Sequence, residues 1–226
     1  MNDHSSELNR PPLGFIVEGQ GEYNCYPSLV FRILQSHGFR LPIVNAGGCG
    51  NVVRNLPSQL RSLVLAFHPR EVIVTVDLRD VLKQRLFRDC AELTTALAEE
   101  ASTWLDSALT DPRLQPLPAR IAVVIQIQEF ESWFIADCSA LRRSGFLRAD
   151  PPDFSNVDNE IEDPVSWLRE FLTPTFDVKN PMHARSLVSA LNPSSIRALS
   201  PSFDKFAREV TSSYRNWLDA SGLMQP

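Results

Sequence analysis

Three apolar runs in this chain end in carboxylates. LGFIVEG closes at Glu18, EVIVTVDLRD at Asp77 and Asp80, and IAVVIQIQEFE at Glu129 and Glu131. If these runs are parallel neighbouring strands, their acids lie along the sheet edge where open α/β sheets bind ligands. Like charges gathered in this way repel one another unless a cation sits between them. Hard oxygen donors suit Mg2+ or Mn2+, and a carboxylate with a shifted pKa beside such an ion can work as a general acid or base. The candidate metal ligands are therefore Glu18, Asp77, Asp80, Glu129 and Glu131, with Glu18 and Asp77 as the candidate catalytic residues. Asp80 fits a helix cap as well as it fits a ligand. Glu129 and Glu131 share a face if the strand runs on, and diverge if a helix starts at Gln128.

Basic residues follow the second acidic run. Arg79, Lys83, Arg85 and Arg88 are opposed only by Asp80 and Asp89, and Arg54 and Arg61 come after a glycine-rich turn. Arg54, Arg79 and Lys83 are the candidates for holding a nucleic-acid backbone, where phosphate contacts supply affinity. A solvated helix face is the competing reading. The turn Gly47-Gly48-Cys49-Gly50-Asn51 either offers amides to an anion or is plain turn chemistry, and it lacks the Lys-Ser/Thr of a P-loop. No Ser-His-Asp or Cys-His grouping stands out. Lys179 and His183 precede a helical stretch and are expected at the surface.

The elements that must position these residues alternate. Residues 13–17 read as a buried strand. A helical face follows at Tyr26, Leu29, Val30, Ile33 and Leu34, with Pro27 expected in its first turn and Gly38 closing it. Leu41 to Asn45 reads as a second strand, followed by a helix ending near Phe67. Glu71 to Val76 is β-branched and continuous, as in a strand buried on both faces. Leu82, Leu86, Leu93, Leu97, Trp104 and Ala108 predict one long helix over 81–109. Ala119 to Ile127 is the fourth strand. Phe130, Trp133 and Phe134 keep the spacing of a core-facing helical stripe. Residues 150–163 read as an acidic, proline-rich loop. Helices follow it, one opened by Asp163-Pro164, one holding Ala184 to Leu191 and one holding Phe203 to Trp217. Strands alternating with helices predict an α/β fold, a parallel sheet with helices on both faces. The expected divisions are a disordered leader over 1–12, a core over 13–140 and a helical C-terminal extension over 141–226.

The bulk composition narrows the function classes. With 22 Lys and Arg against 27 Asp and Glu, the net charge of −5 argues against a uniformly basic nucleic-acid coat and leaves room for a local basic patch. Cys25, Cys49, Cys90 and Cys138 form no CxxC pair, which predicts reduced, mostly buried thiols in a cytoplasmic protein and no zinc site. There is no signal-peptide pattern and no apolar run of membrane-spanning length.

The motifs FIVEGQGE and VTVDLRD resemble the Toprim fold, whose signature is a Glu after the first strand and a DxD after a later one. The order VEGQGE, glycine turn, VDLRD, QEFESWFIAD, FDVK and SPSFDKF looks similar to an uncharacterised bacterial Toprim-like family related to the OLD-family nucleases. The sequence departs from the pattern at Arg79, which stands where the second Asp of DxD is expected, with Asp80 one place later. The resemblance implies a Rossmannoid core and a Mg2+- or Mn2+-dependent nuclease. It also implies nucleic acid and an ATPase as partners in a bacterial phage-defence setting, and its tail pieces offer an approach of Lys179 and His183 to the site as the alternative to their surface location. The alternative is a catalytically degraded sensor or interaction module that binds the ATPase. Phosphoryl transfer to a small molecule is a weaker third option.

Overall fold

The computed structural model describes residues 10–221. Its elements are β1 (Leu13–Val17), α1 (Gln20–Leu34), β2 (Ile43–Asn45), α2 (Cys49–Phe67), β3 (Glu71–Asp77), α3 (Leu78–Lys83), α4 (Cys90–Ala108) and β4 (Arg120–Gln126). Beyond these come α5 (Ser132–Ile135), α6 (Cys138–Arg143), α7 (Val157–Glu160), α8 (Pro164–Phe171), α9 (Pro181–Ala190), α10 (Pro193–Leu199) and α11 (Pro201–Ala220). The strands form one parallel sheet in the order β2-β1-β3-β4. This is an α/β fold of Rossmannoid type with C-terminal helices. No helix among the described residues is long and apolar enough to cross a membrane.

Strand alternation divides the interior in two. Ile16, Val72, Val74, Val76, Val123 and Ile125 face α2 and α4. Leu13, Phe15, Val17, Ile73, Ala122 and Val124 face α1 and the helices after residue 130. The C-terminal helices are thus the cover of the second sheet face and share one core with β1, β3 and β4. Their centre is aromatic: Tyr26 packs on Phe15, Phe130, Trp133 and Phe206. The stripe of Phe130, Trp133 and Phe134 is fully inside, as its spacing predicts. Asp158 fastens this layer, accepting from Ser200 Oγ at 2.8 Å and Ser202 N at 2.7 Å.

Several local expectations are corrected. The helix predicted over 81–109 is two helices, α3 and α4, because Arg85 takes a left-handed φ of 55° and Asp89 caps a new start by accepting from Glu92 N. Pro27 lies inside α1 instead of its first turn, since the helix already begins at Gln20. Gln35 closes α1 in a left-handed conformation, so Gly38 lies beyond the helix end. The loop expected over 150–163 contains the helical turn α7. The expected leader over 1–12 falls outside the described residues for 1–9, whereas Pro11 and Pro12 are buried. Cys25 and Cys49 are buried, Cys90 and Cys138 partly so, and all four are free.

At its amino end, β3 starts with a fully partnered acid. Glu71 accepts from Ser213 Oγ (2.6 Å), Asn216 Nδ2 (2.8 Å) and Arg120 Nε (3.1 Å), which ties the strand to α11. Removing one member of such a buried set strands the others. Glu71→Ala is expected to destabilise the protein by about 2–4 kcal/mol, read as a lower urea midpoint with an unchanged slope.

Candidate acidic active site

The carboxyl ends of the three neighbouring strands β1, β3 and β4 meet. The Asp77 N–H, at the end of β3, donates to Glu18 Oε2, just beyond the end of β1, at 3.1 Å. The Gly48 N–H donates to the Glu18 carbonyl at 2.8 Å and seats the start of α2 beside it. Glu18, Glu22, Asp77, Asp80, Glu129 and Glu131 all line one cavity of about 260 Å³, closed on its far side by Val178, Lys179, Pro181 and Ala184. Except for Asp80, which stays half-exposed at the mouth, these acids are only 5% to 8% exposed.

Each acid has a local reason for its place. Glu22 is the third residue of α1 and folds back on the helix's first amides, a capping-box position with Gly19 as the cap. After β4 the chain neither continues as a strand nor starts a helix at Gln128. It makes a tight turn, with Ser132 N donating to the Glu129 carbonyl, so both Glu129 and Glu131 turn inward. Asp80 sits in the first turn of α3 behind Asp77, which holds the cap position without a side-chain bond. Below the cavity lies a buried polar ladder, Gln126 Nε2 to Tyr26 Oη to Thr75 Oγ1.

Electrostatics sets this cavity apart. Burial pushes Glu18 up to about 7, helped by Glu22 and Asp80. Burial likewise lifts Glu22 to about 7, with Glu131 adding to it. Asp77 lies well above the carboxylate range, first through burial and then through Glu22, Glu18, Glu131 and Glu129. Glu129 is raised by burial and by Glu131. Three buried oxygens, Glu22 Oε1, Asp77 Oδ1 and Glu129 Oε2, have no hydrogen-bond partner. A larger cavity of about 420 Å³ beside α5, α6 and α10 has no such orphaned group among its lining residues.

A divalent ion fits this donor set. The donors are hard oxygens, desolvated and short of positive partners, which is the environment Mg2+ and Mn2+ select. Among the described residues no group of three or more His, Cys, Asp or Glu side chains is already arranged to hold a metal ion.

Two side-chain cations face the acids. Arg79 spans Glu129 Oε1 (2.7 Å) and Asp163 Oδ2 (3.0 Å), the latter being the cap of α8. Both ends of the Arg79 guanidinium are thus paired within the protein. Lys179 is exposed, as expected, and from the surface its Nζ reaches Glu131 Oε1 at 2.6 Å. His183 instead accepts from Asp177 N at 3.0 Å. Arg54 and Lys83 are exposed, Lys83 at 3.6 Å from Asp80. In the glycine turn the Gly48 N–H donates to the Glu18 carbonyl and the Gly47 N–H to Asn45 Oδ1.

Sequence reasoning missed Glu22 as a site residue and favoured a surface location for Lys179, with only the tail resemblance drawing it toward the site. The spacing in EGQGE, i to i+4, was the available signal for Glu22; nothing local marks Lys179.

A family model described as Domain of unknown function (DUF4276) matches residues 17–211. No curated protein and no solved structure matches the chain.

The raised acids set a pH dependence. In the folded protein Glu18 and Glu22 titrate near 7, against an ordinary value of 4.5. Between those values the fold holds protons that the unfolded chain has released. Their contribution is therefore fully present below the unfolded value and is lost as pH rises through the folded one. Without divalent ions, the melting temperature is expected to fall between about pH 5 and about pH 8. The fall should be shallower in Glu22→Gln, and Mn2+ should restore more stability at the upper pH than at the lower, as scanning calorimetry would record.

Proposed function

The chain belongs to the DUF4276 family, and we propose that it is a divalent-metal-dependent phosphodiesterase acting on nucleic acid. What supports this most is the set of buried, unpartnered oxygens of Glu22, Asp77 and Glu129 facing one cavity at the carboxyl edge of the sheet. Asp77, Glu22, Glu129 and Glu131 would hold the ion, with Asp80 at the mouth. A bound Mg2+ or Mn2+ would stabilise charge developing on a phosphate and acidify a bound water. Glu18 titrates near neutrality and is fixed by the Asp77 amide, so it is placed to take a proton from that water. The exposed Arg54 on α2 and Lys83 on α3, the latter 3.6 Å from Asp80, would offer positive charge to a phosphate backbone. The Toprim resemblance of FIVEGQGE and VTVDLRD leads to the same chemistry. It extends the proposal to a cytoplasmic bacterial defence protein working with an ATPase.

A second reading, a sensor or interaction module of the same fold, draws on Arg79. This residue stands where the resemblance expects a ligand and is fully engaged by Glu129 and Asp163.

Purified protein incubated with plasmid DNA or RNA and Mg2+ or Mn2+, alone and with a candidate ATPase, tests the first reading. Glu18→Ala and Asp77→Ala should each lower cleavage at least about 100-fold, and nicking that survives both substitutions would refute it. Separately, Arg54→Ala and Lys83→Ala should weaken nucleic-acid binding across sequences. Each should reduce the slope of log K against log salt by about one, as binding titrations at several salt concentrations would show.

A further inference from the structure

The two cations at the acidic turn are built differently. Arg79 is held at both ends, by Glu129 and by Asp163, and is only 19% exposed. Its neighbour Lys179 makes one ion pair, to Glu131, and its side chain is 52% exposed. The backbone that carries Lys179 is rigid. Asp177 Oδ1 accepts from the Lys179 N–H at 3.0 Å, Val178 is buried, and Asn180 caps α9 by accepting from Met182 N. The ammonium is therefore delivered to a fixed place, while the flexible stem leaves it a path to solvent without any backbone movement.

The field at that place is shared. Glu131, Glu129 and Asp77 all act to raise the Lys179 pKa against the effect of its partial burial, and Lys179 in turn acts to lower Glu22 and Glu129. One positive charge thus serves four carboxylates, and orphaned oxygens remain on Glu22, Asp77 and Glu129. A divalent ion brings twice the charge and can be coordinated from several sides. Competition between the two is a matter of charge and geometry within one cavity.

We infer that Lys179 is a tethered counter-cation of the acidic cavity, holding the position of a divalent ion and leaving Glu131 for solvent when that ion enters. Arg79 stays in place and keeps Glu129 oriented. Lys179 then sets how tightly the cavity takes its metal. This inference rests on the divalent-ion reading of the site.

Titration of the full chain with MnCl2 by isothermal calorimetry tests it. Lys179→Met removes the competing charge and is expected to bind Mn2+ roughly tenfold more tightly than the wild type. Lys179→Arg keeps the charge and should stay within a few-fold of wild type. Lys179→Gln gives the same comparison should the methionine variant not fold. If wild type binds Mn2+ and the neutral variants bind equally or more weakly, the role of Lys179 is overturned while the metal site stands. A tightening shared by Lys179→Arg overturns it as well. If neither wild type nor any variant takes up Mn2+, both this inference and the divalent reading fall.

Discussion

Six carboxylates share one small cavity at the edge of a sheet whose interior excludes water, and the rest of the molecule is arranged around that strain. Burial favours the neutral form of Glu18, Glu22, Asp77 and Glu129, and neighbouring acids strengthen the effect. Such a set persists only when the surrounding framework holds it. Here the framework is a parallel sheet buried on both faces, whose central strand sets the Asp77 amide against the Glu18 carboxylate. The cap of α1 by Glu22 and the tight turn after β4 bring in the remaining acids.

The partial relief of that repulsion comes from the last third of the chain. Asp163 at the cap of α8 holds Arg79 against Glu129, and the turn before α9 brings Lys179 to Glu131. The C-terminal helices also build the core on that sheet face, through Leu187 and Val188 of α9 and Phe203 and Phe206 of α11. A substitution that loosens the C-terminal packing therefore reaches the acids as well. Fold and site are coupled through charge as well as through packing.

Much of this was legible in the residues. The β-branched runs, their terminal acids and the alternation with helical faces define the sheet and the edge where Glu18, Asp77, Asp80, Glu129 and Glu131 gather. Other features were less visible for physical reasons. Leu82 and Leu86 keep helical spacing, so apolar periodicity alone does not reveal the left-handed Arg85. The Asp89 to Glu92 spacing was the available and unread signal for the new start, with Asp89 accepting from Glu92 N. Pro27 suggested a helix beginning several residues later than the Gly19–Glu22 box allows. Lys179 lies 48 residues beyond Glu131 in the chain, and only the packing of α9 on α1 brings them together. Long-range pairings of this kind leave no periodic mark.

Strand β3 holds both extremes on a single face. Its first residue, Glu71, is locked by Arg120, Ser213 and Asn216. Its last, Asp77, ends among mutually repelling neighbours, with one oxygen unclaimed. Resistance to local opening differs between regions of a fold according to how well they are anchored. β4 pairs with this strand along its whole length, so the difference lies in the side chains: the amino end is anchored by three partners, and the carboxyl end keeps a spare acceptor at the cavity.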